Sequence, residues 1–243
     1  GSEMCIRDSC GGGPGRFAIE LAQHGYQVTL FDLSAGNLKL AREKAGQAAV
    51  ELVAFEQGTA NDLSRFPDQA FDAVLLLGPL YHMLEEHERR ETLRECYRVL
   101  QPGGLLFAAF ISRYAGHRNI ARNQPEFLLA DKEFAGDVLA SGKIPPLKRD
   151  GTEWISYMIH PQEVEPFLSS EGYDVQTVLG VEGLVSMIEE RVNALQGETW
   201  DIWADLNYQV AEDPSIHGCV EHLLAVARRP VWREAIKEVA GKL

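Results

Sequence analysis

The chain has 243 residues, 45% of them hydrophobic, which suits one large domain with a substantial core. Its 23 Lys and Arg are outnumbered by 36 Asp and Glu, and a formal charge of −13 repels a phosphate backbone and argues against nucleic acid as a partner. No apolar run approaches the roughly 20 residues that cross a bilayer and no signal peptide opens the chain, so a cytoplasmic protein without a membrane partner is expected.

The opening residues, EMCIRDS at 3 to 9, are too polar for a buried strand, yet they precede the glycine-rich turn CGGGPGR at 10 to 16. The string SEMCIRDS resembles translated sequencing-adapter read-through. Residues 1 to 9 are therefore expected to be a non-native leader standing in place of a first strand. Phe17, Leu21 and Ala22 recur at helical spacing up to Gly25, and QVTLFD then alternates into a strand ending at Asp32. Ser34 can cap a helix that turns Leu38, Ala41 and Ala45 inward, before a strand around Val50 to Phe55. FDAVLLLG, 71 to 78, is nearly continuous in apolar residues and reads as a central strand buried on both faces.

A helix over 86 to 100 carries Leu93, Cys96, Tyr97 and Leu100 on one face and stops at Pro102-Gly103-Gly104, ahead of the strand LLFAAF. From 111 to 153 the winding pattern breaks, and a segment of mixed polarity with Gly142, Pro145 and Pro146 reads as a cap inserted into a single domain spanning 1 to 243. The pattern resumes with WISYMIH, a helix from Pro161, the strand YDVQTVLG, two helical stretches over 184 to 212, a last strand VEHLLAVA and a short helix after it. The four cysteines, at 5, 10, 96 and 219, form no Cys-x-x-Cys pair and lack the histidine spacing of a zinc site, so free thiols and no metal are expected.

Gly11, Gly13 and Gly15 allow positive φ and close approach of backbone to a ligand, and the helix that follows presents unpaired N–H groups to an anionic or polar group. Asp32, at the tip of the next strand, can accept both hydroxyl hydrogen bonds of a ribose. Gly13 to Ala18 also satisfies the dinucleotide pattern G-x-G-x-x-A, so nicotinamide enzymes share this geometry.

Taken with FDAVLLLGPLYHM and RVLQPGGLLFAAF, in this order, the loop and Asp32 resemble the class I S-adenosylmethionine-dependent methyltransferases over residues 10 to about 110, and more loosely to Arg229. The resemblance implies a Rossmann-like, doubly wound α/β fold whose seven strands run in the order 3-2-1-4-5-7-6 with strand seven antiparallel. It implies S-adenosyl-L-methionine as cofactor, with Gly11, Gly13 and Gly15 along its methionine and ribose, Asp32 on the ribose hydroxyls and Leu33 against the adenine. Ala60 and Asn61 would meet the adenine edge, and Leu77 and Gly78 the methionine group. Ser9 stands at the acidic position that opens the family's first motif, with Asp8 one residue early. Thr59 stands where many relatives have Asp, which shifts the adenine contact to Asn61, Asp62 or backbone.

The sulfonium of such a cofactor activates its own methyl group, so the protein aligns an acceptor and excludes water. A small-molecule acceptor is expected. If it is a hydroxyl or amine, His82 and His160 are the candidate catalytic bases, with Tyr81, Tyr114 and Trp154 shaping the pocket. A methylase of base amines is disfavoured because Gly78-Pro79-Leu80-Tyr81 replaces its Asn/Asp-Pro-Pro-Tyr. An NAD(P)-dependent oxidoreductase and a non-catalytic cofactor-binding domain stay open as alternatives.

Overall fold

Apolar runs alternating with amphipathic helices wind into one nine-stranded sheet in the computed structural model, which describes residues 5–7, 11–130, 132–149 and 152–231. The first half comprises β1 (Cys5–Arg7), α1 (Arg16–Gln23), β2 (Gln27–Asp32), α2 (Ala35–Gln47), β3 (Ala54–Gln57), β4 (Phe71–Leu76), α3 (Glu86–Val99) and β5 (Leu100–Ser112). These strands pair in parallel in the spatial order β3, β2, β1, β4, β5.

The polar opening segment supplies a strand after all. Cys5 lies opposite Gln27, and Ile6 opposite both Val28 and Ala73, so β1 bridges β2 and β4 with three residues against six on either side. Asp8, Ser9 and Cys10 lie outside the described residues, as does the short helix expected after the last strand.

The second half comprises α4 (Ala115–Asn123), α5 (Phe127–Ala130), α6 (Lys132–Ser141), β6 (Lys143–Arg149), β7 (Thr152–Ile159), α7 (Val164–Ser170), β8 (Asp174–Gly180), α8 (Glu189–Asn193), α9 (Glu198–Val210), α10 (Pro214–His217) and β9 (His222–Arg228). β9 runs antiparallel to both β5 and β8. Leu105 to Ala108 pair with β4 as well as with β9, so these two strands flank β5 on opposite edges.

Where seven strands were expected, the described residues form nine, because 143–149 and 152–159 pair as the antiparallel strands β6 and β7. Pro145 and Pro146 hid β6, since proline cannot donate to a ladder. They are accommodated because β6 pairs only with β7 and its register shifts between Ile144 and Leu147. Beyond β4's last pair with β5, Leu76 with Ala108, β7 takes the same edge, pairing Met158 with Ile111 and Ile159 with Ser112.

Strand alternation divides the apolar residues between two faces. On one, Val74 and Leu76 of β4, Leu106 and Phe110 of β5, and Leu223 and Ala225 of β9 pack with Leu93, Cys96 and Val99 of α3 and Leu168 of α7. Each fully buried Leu or Phe there contributes roughly 1.5–3 kcal/mol relative to exposure. On the other face Ala18 of α1 and Leu38 and Ala41 of α2 cover Val28 and Leu30 of β2. Phe17, the first of the apolar residues at helical spacing in α1, is 49% exposed. It flanks a trough of about 790 Å³ along the outer residues Leu75, Leu105, Phe107 and Leu224.

Candidate active site

The glycine turn is wound by backbone demands. Gly11, Gly13 and Gly15 have φ of 84°, 55° and 79°, the left-handed region that L side chains rarely adopt. Gly11 has a second reason: a Cβ there would sit 2.8 Å from Cδ of Pro79, so only glycine lets the turn after β4 close on the loop. At Gly13 a Cβ would meet nothing within 4 Å, which leaves open space in front of the loop. Gly15 precedes α1, whose first turn has no acidic residue and no capping side chain, so its N–H groups and positive dipole end are available to a ligand.

The end of β2 holds this loop. The N–H groups of Gly11 and Gly12 donate to the Phe31 carbonyl at 3.1 and 3.3 Å, and Gly13 N–H donates to Asp32 Oδ2 at 2.8 Å. The other oxygen, Oδ1, accepts from Ser34 N–H at 2.7 Å and from Asn37 Nδ2 at 3.2 Å. Asp32 is only 5% exposed, and its carboxylate ties the glycine loop to the start of α2. A carboxylate offers about four lone-pair positions, so with three donors in place it retains acceptor capacity on Oδ2.

Around this joint the sequence-predicted residues gather at the C-terminal ends of the parallel strands, the edge where open α/β sheets bind ligands. Leu33 is 69% exposed beside Asp32, an apolar side chain presented to solvent. Beyond β3, Ala60 is buried in the main core, so only its backbone is on offer, while Thr59 Oγ1 lies 2.5 Å from Asn61 Oδ1 and turns the Asn61 amide donor outward. The alternative, Asp62, spends its carboxylate on Ser64, whose hydroxyl and N–H hold it below the usual range.

Gly58, which sequence reading did not single out, supports the end of β2 beside Asp32. Its N–H donates to the Asp32 carbonyl at 3.1 Å, and a Cβ there would fall 2.5 Å from Phe31 Cζ. The only signal for it was a glycine directly after a strand.

Leu77 and Gly78 join the loop from the β4 side, because a Cβ on Gly78 would lie 3.5 Å from the Gly11 carbonyl oxygen. In the following 3-10 turn, Pro79–His82, Tyr81 donates to the Leu77 carbonyl at 3.3 Å, and burial pushes its phenol pKa up. His82 is exposed, with Nδ1 3.4 Å from the Ile155 carbonyl of β7.

His160 occupies a different place, at the end of β7. Its Nδ1 accepts from Gln162 N–H at 3.3 Å while Glu163 Oε2 accepts from His160 N–H at 3.3 Å, a reciprocal cap on the turn that leads into α7. Its Nε2 lies 2.9 Å from Tyr114 Oη. Ile155 and His160 are about 16 Å apart along an extended strand, so the two histidines do not form one catalytic pair. Trp154 pairs through its backbone with Leu147.

Arg113, buried after β5, ties this region together by donating to the carbonyls of Met158 at 2.7 Å and Leu139 at 3.0 Å and to Glu163 Oε2 at 3.2 Å. Away from the loop, Glu182, Glu221 and His222 place possible ligand atoms within 4.8 Å of one another. Glu182 there accepts from both backbone N–H groups and from His222 Nδ1 at 2.6 Å, which makes the cluster a tie between β8 and β9.

An adenosine-bearing sulfonium fits this edge: a carboxylate with spare acceptor capacity, a loop whose central glycine faces open space, and an exposed leucine alongside. Residues 9–108 match a family described as "Methyltransferase domain". The ubiquinone biosynthesis O-methyltransferase of Caulobacter vibrioides is 28% identical over 172 residues, which span 71% of this chain and 60% of that relative. The tRNA 5-carboxymethoxyuridine methyltransferase of Escherichia coli is 27% identical over 229 residues, 93% of this chain and 80% of that one. The solved structure of a SAM-dependent methyltransferase from Methanosarcina mazei shares the fold, with a TM-score of 0.64 at 19% identity over 95% of this chain and 94% of that one. The Rossmann-like fold, the glycine loop, the matched methyltransferase domain and these relatives support a class I S-adenosylmethionine-dependent methyltransferase with S-adenosyl-L-methionine as its cofactor.

Proposed function

We propose that this protein methylates a hydroxyl group on a small molecule. The observation that carries the reading is the joint at Gly11, where the glycine loop, Asp32 and the end of β4 meet, so that one ligand reaching from Asp32 to Gly78 lies at the strand ends. Bound there, S-adenosyl-L-methionine would supply an electrophilic methyl carbon on its sulfonium for the acceptor oxygen, the electron pair of the C–S bond remaining on sulfur.

The chain's own residues bind and orient. Asp32 accepts from one ribose hydroxyl through the capacity left on Oδ2, Leu33 covers one adenine face, and Asn61 and the Ala60 backbone meet the adenine edge. Gly11, Gly13 and Gly15 line the methionine and ribose, and the Leu77 and Gly78 backbone meets the methionine group.

The acceptor's proton goes to His82. The Ile155 carbonyl 3.4 Å from Nδ1 favours the tautomer in which Nδ1 carries the hydrogen and Nε2 keeps a lone pair for the acceptor's proton. His160 has the opposite tautomer when neutral, since Nδ1 accepts from Gln162 and Nε2 holds the hydrogen. It therefore has no basic nitrogen to offer.

Two facts bear on the acceptor. The Caulobacter relative is an O-methyltransferase, and a charge of −13 favours a small molecule over a polyanion. The alignment with the E. coli tRNA enzyme over 93% of the chain favours a second reading, a tRNA nucleoside. Incubation with methyl-labelled cofactor, a set of phenols and catechols, and tRNA carrying 5-carboxymethoxyuridine separates the two. Label in the small molecules alone supports the proposal, and label in tRNA alone overturns it.

A further inference from the structure

Helix α3 turns Arg89, Thr92, Leu93, Cys96 and Val99 toward the core, so an arginine opens a stripe whose spacing calls for apolar residues. Arg89 is 3% exposed, and among the described residues it forms no ion pair and its Nε has no partner. Burial lowers its pKa, as expected of a cation held away from water. The other end of the guanidinium is engaged. Nη1 donates to the carbonyls of Met83 at 2.6 Å and Leu84 at 3.0 Å, and Cζ lies 3.5 Å from the ring centroid of Tyr157 on β7.

Both sides of this clamp lie beside His82. Met83 and Leu84 follow it directly in the chain, and Tyr157 stands two residues from Ile155, whose carbonyl is 3.4 Å from His82 Nδ1. Two residues of a strand span about 7 Å, so the turn after β4 is bound to β7 at two adjacent points. The contact made by His82 itself is the weaker one. Its side chain is exposed, its hydrogen bond is long, and its other contact is a T-shaped one with the Tyr81 ring at 4.9 Å between centroids. Such a side chain keeps its orientation only if the backbone carrying it is held. Met83 is held twice, because Thr92 Oγ1 also donates to its sulfur at 3.3 Å.

We propose that Arg89 is a positioning residue for methyl transfer: by clamping the Met83 and Leu84 carbonyls against Tyr157 it keeps His82 Nδ1 at the Ile155 carbonyl and leaves Nε2 to take the acceptor's proton. The inference rests on the reading of His82 as the base. Buried as it is, Arg89 offers no surface to cofactor or acceptor and acts through His82, so its removal costs nothing once His82 is gone.

A double-mutant cycle, read by transfer of labelled methyl to a phenolic probe, tests this. Arg89→Met fills the volume without a donor. It should lower kcat about tenfold, since a displaced catalytic group loses much of its effect, while KM for the probe and the Kd of S-adenosylhomocysteine stay at wild-type values. Arg89→Lys keeps the charge and can still donate to the carbonyls but cannot lie flat on Tyr157, so it should lose only severalfold and rescue most of the deficit. In the His82→Ala background neither substitution should slow the residual transfer further. Nitrogen-15 NMR should show hydrogen on His82 Nδ1 in the wild type and a mixture of tautomers in Arg89→Met. If Arg89→Met does not fold, Arg89→Lys carries the same comparison.

A wild-type enzyme inactive on the probes, or a wild-type kcat in His82→Ala, takes down the reading of His82 and this inference with it. If His82→Ala is slow but the Arg89 variants keep wild-type kcat, or slow transfer by the same factor with and without His82, the base stands and the positioning role of Arg89 is overturned. A change confined to KM or Kd overturns it as well.

Discussion

Asp32 does two things that sequence reading treated as one. Its place at the strand tip announced a ribose partner, and the folded chain also uses it to hold Gly13 and Ser34. Asp32→Ala removes both, so affinity for S-adenosylhomocysteine should fall by roughly 10- to 100-fold, the worth of one charge-assisted hydrogen bond, and unchanged affinity in calorimetry would remove the ribose assignment. Two glycines separate packing from backbone. Gly58→Ala drives a Cβ to within 2.5 Å of Phe31 and should lower urea-unfolding stability by about 1–3 kcal/mol. Gly13→Ala meets nothing within 4 Å, so its stability cost should be only the roughly 1–2 kcal/mol of positive φ, while its methyl group enters ligand space and weakens binding. For His82→Ala, loss of a general base predicts a fall in turnover of about 100-fold or more with cofactor affinity retained, read by methyl transfer to a phenolic probe.

Among the elements, β8 and β9 are tied by Glu182 and His222. The hydrogen bond to Glu182 raises the His222 pKa against the effect of burial. Burial raises Glu182, but hydrogen bonds from the His222 side chain and backbone outweigh it and leave its pKa lowered. For the raised histidine, the stabilisation is complete below its unfolded value and is lost as pH climbs through the folded one. For the lowered carboxylate, it is present above the unfolded value and lost as pH falls through the folded one. The tie is therefore at full strength between the unfolded-state values of the carboxylate and the imidazole. Outside them it weakens until pH passes the lowered Glu182 pKa on the acid side or the raised His222 pKa on the alkaline side. Urea midpoints of wild type should fall from pH 6 to pH 9 more steeply than those of Glu182→Gln, and parallel curves would show that the pair contributes no linkage.

For the molecule as a whole, the cofactor edge joins segments from β2, β3 and β4, so a ligand there should stabilise the domain as a unit. S-adenosylhomocysteine at 100 times its Kd adds about 2.7 kcal/mol, which for a domain of this size raises the melting temperature by roughly 5–10 °C. NADH should give no shift; the reverse pattern would revive the oxidoreductase reading. The short β1 sits at the centre of this arrangement, with Ile6 paired to both neighbours.

The parts of this protein legible in sequence are those set by local backbone chemistry. Glycines at positive φ, an acidic strand end nearby and an apolar fourth strand depend on contiguous residues, and they pointed to the glycine turn, to Asp32 beside it and to the winding of the sheet. Composition could not reveal β6, because Lys143–Arg149 carries two prolines and forms a strand only by lying against β7. Nor could it assign the two histidines. His82 and His160 are chemically alike in sequence, and only the carbonyl of Ile155 beside one and the Gln162 N–H beside the other decide which nitrogen bears the hydrogen. The meeting of Tyr114 with His160, like that of Gly58 with Phe31, belongs to tertiary structure, since strand pairing brings together groups whose separation along the chain carries no signal.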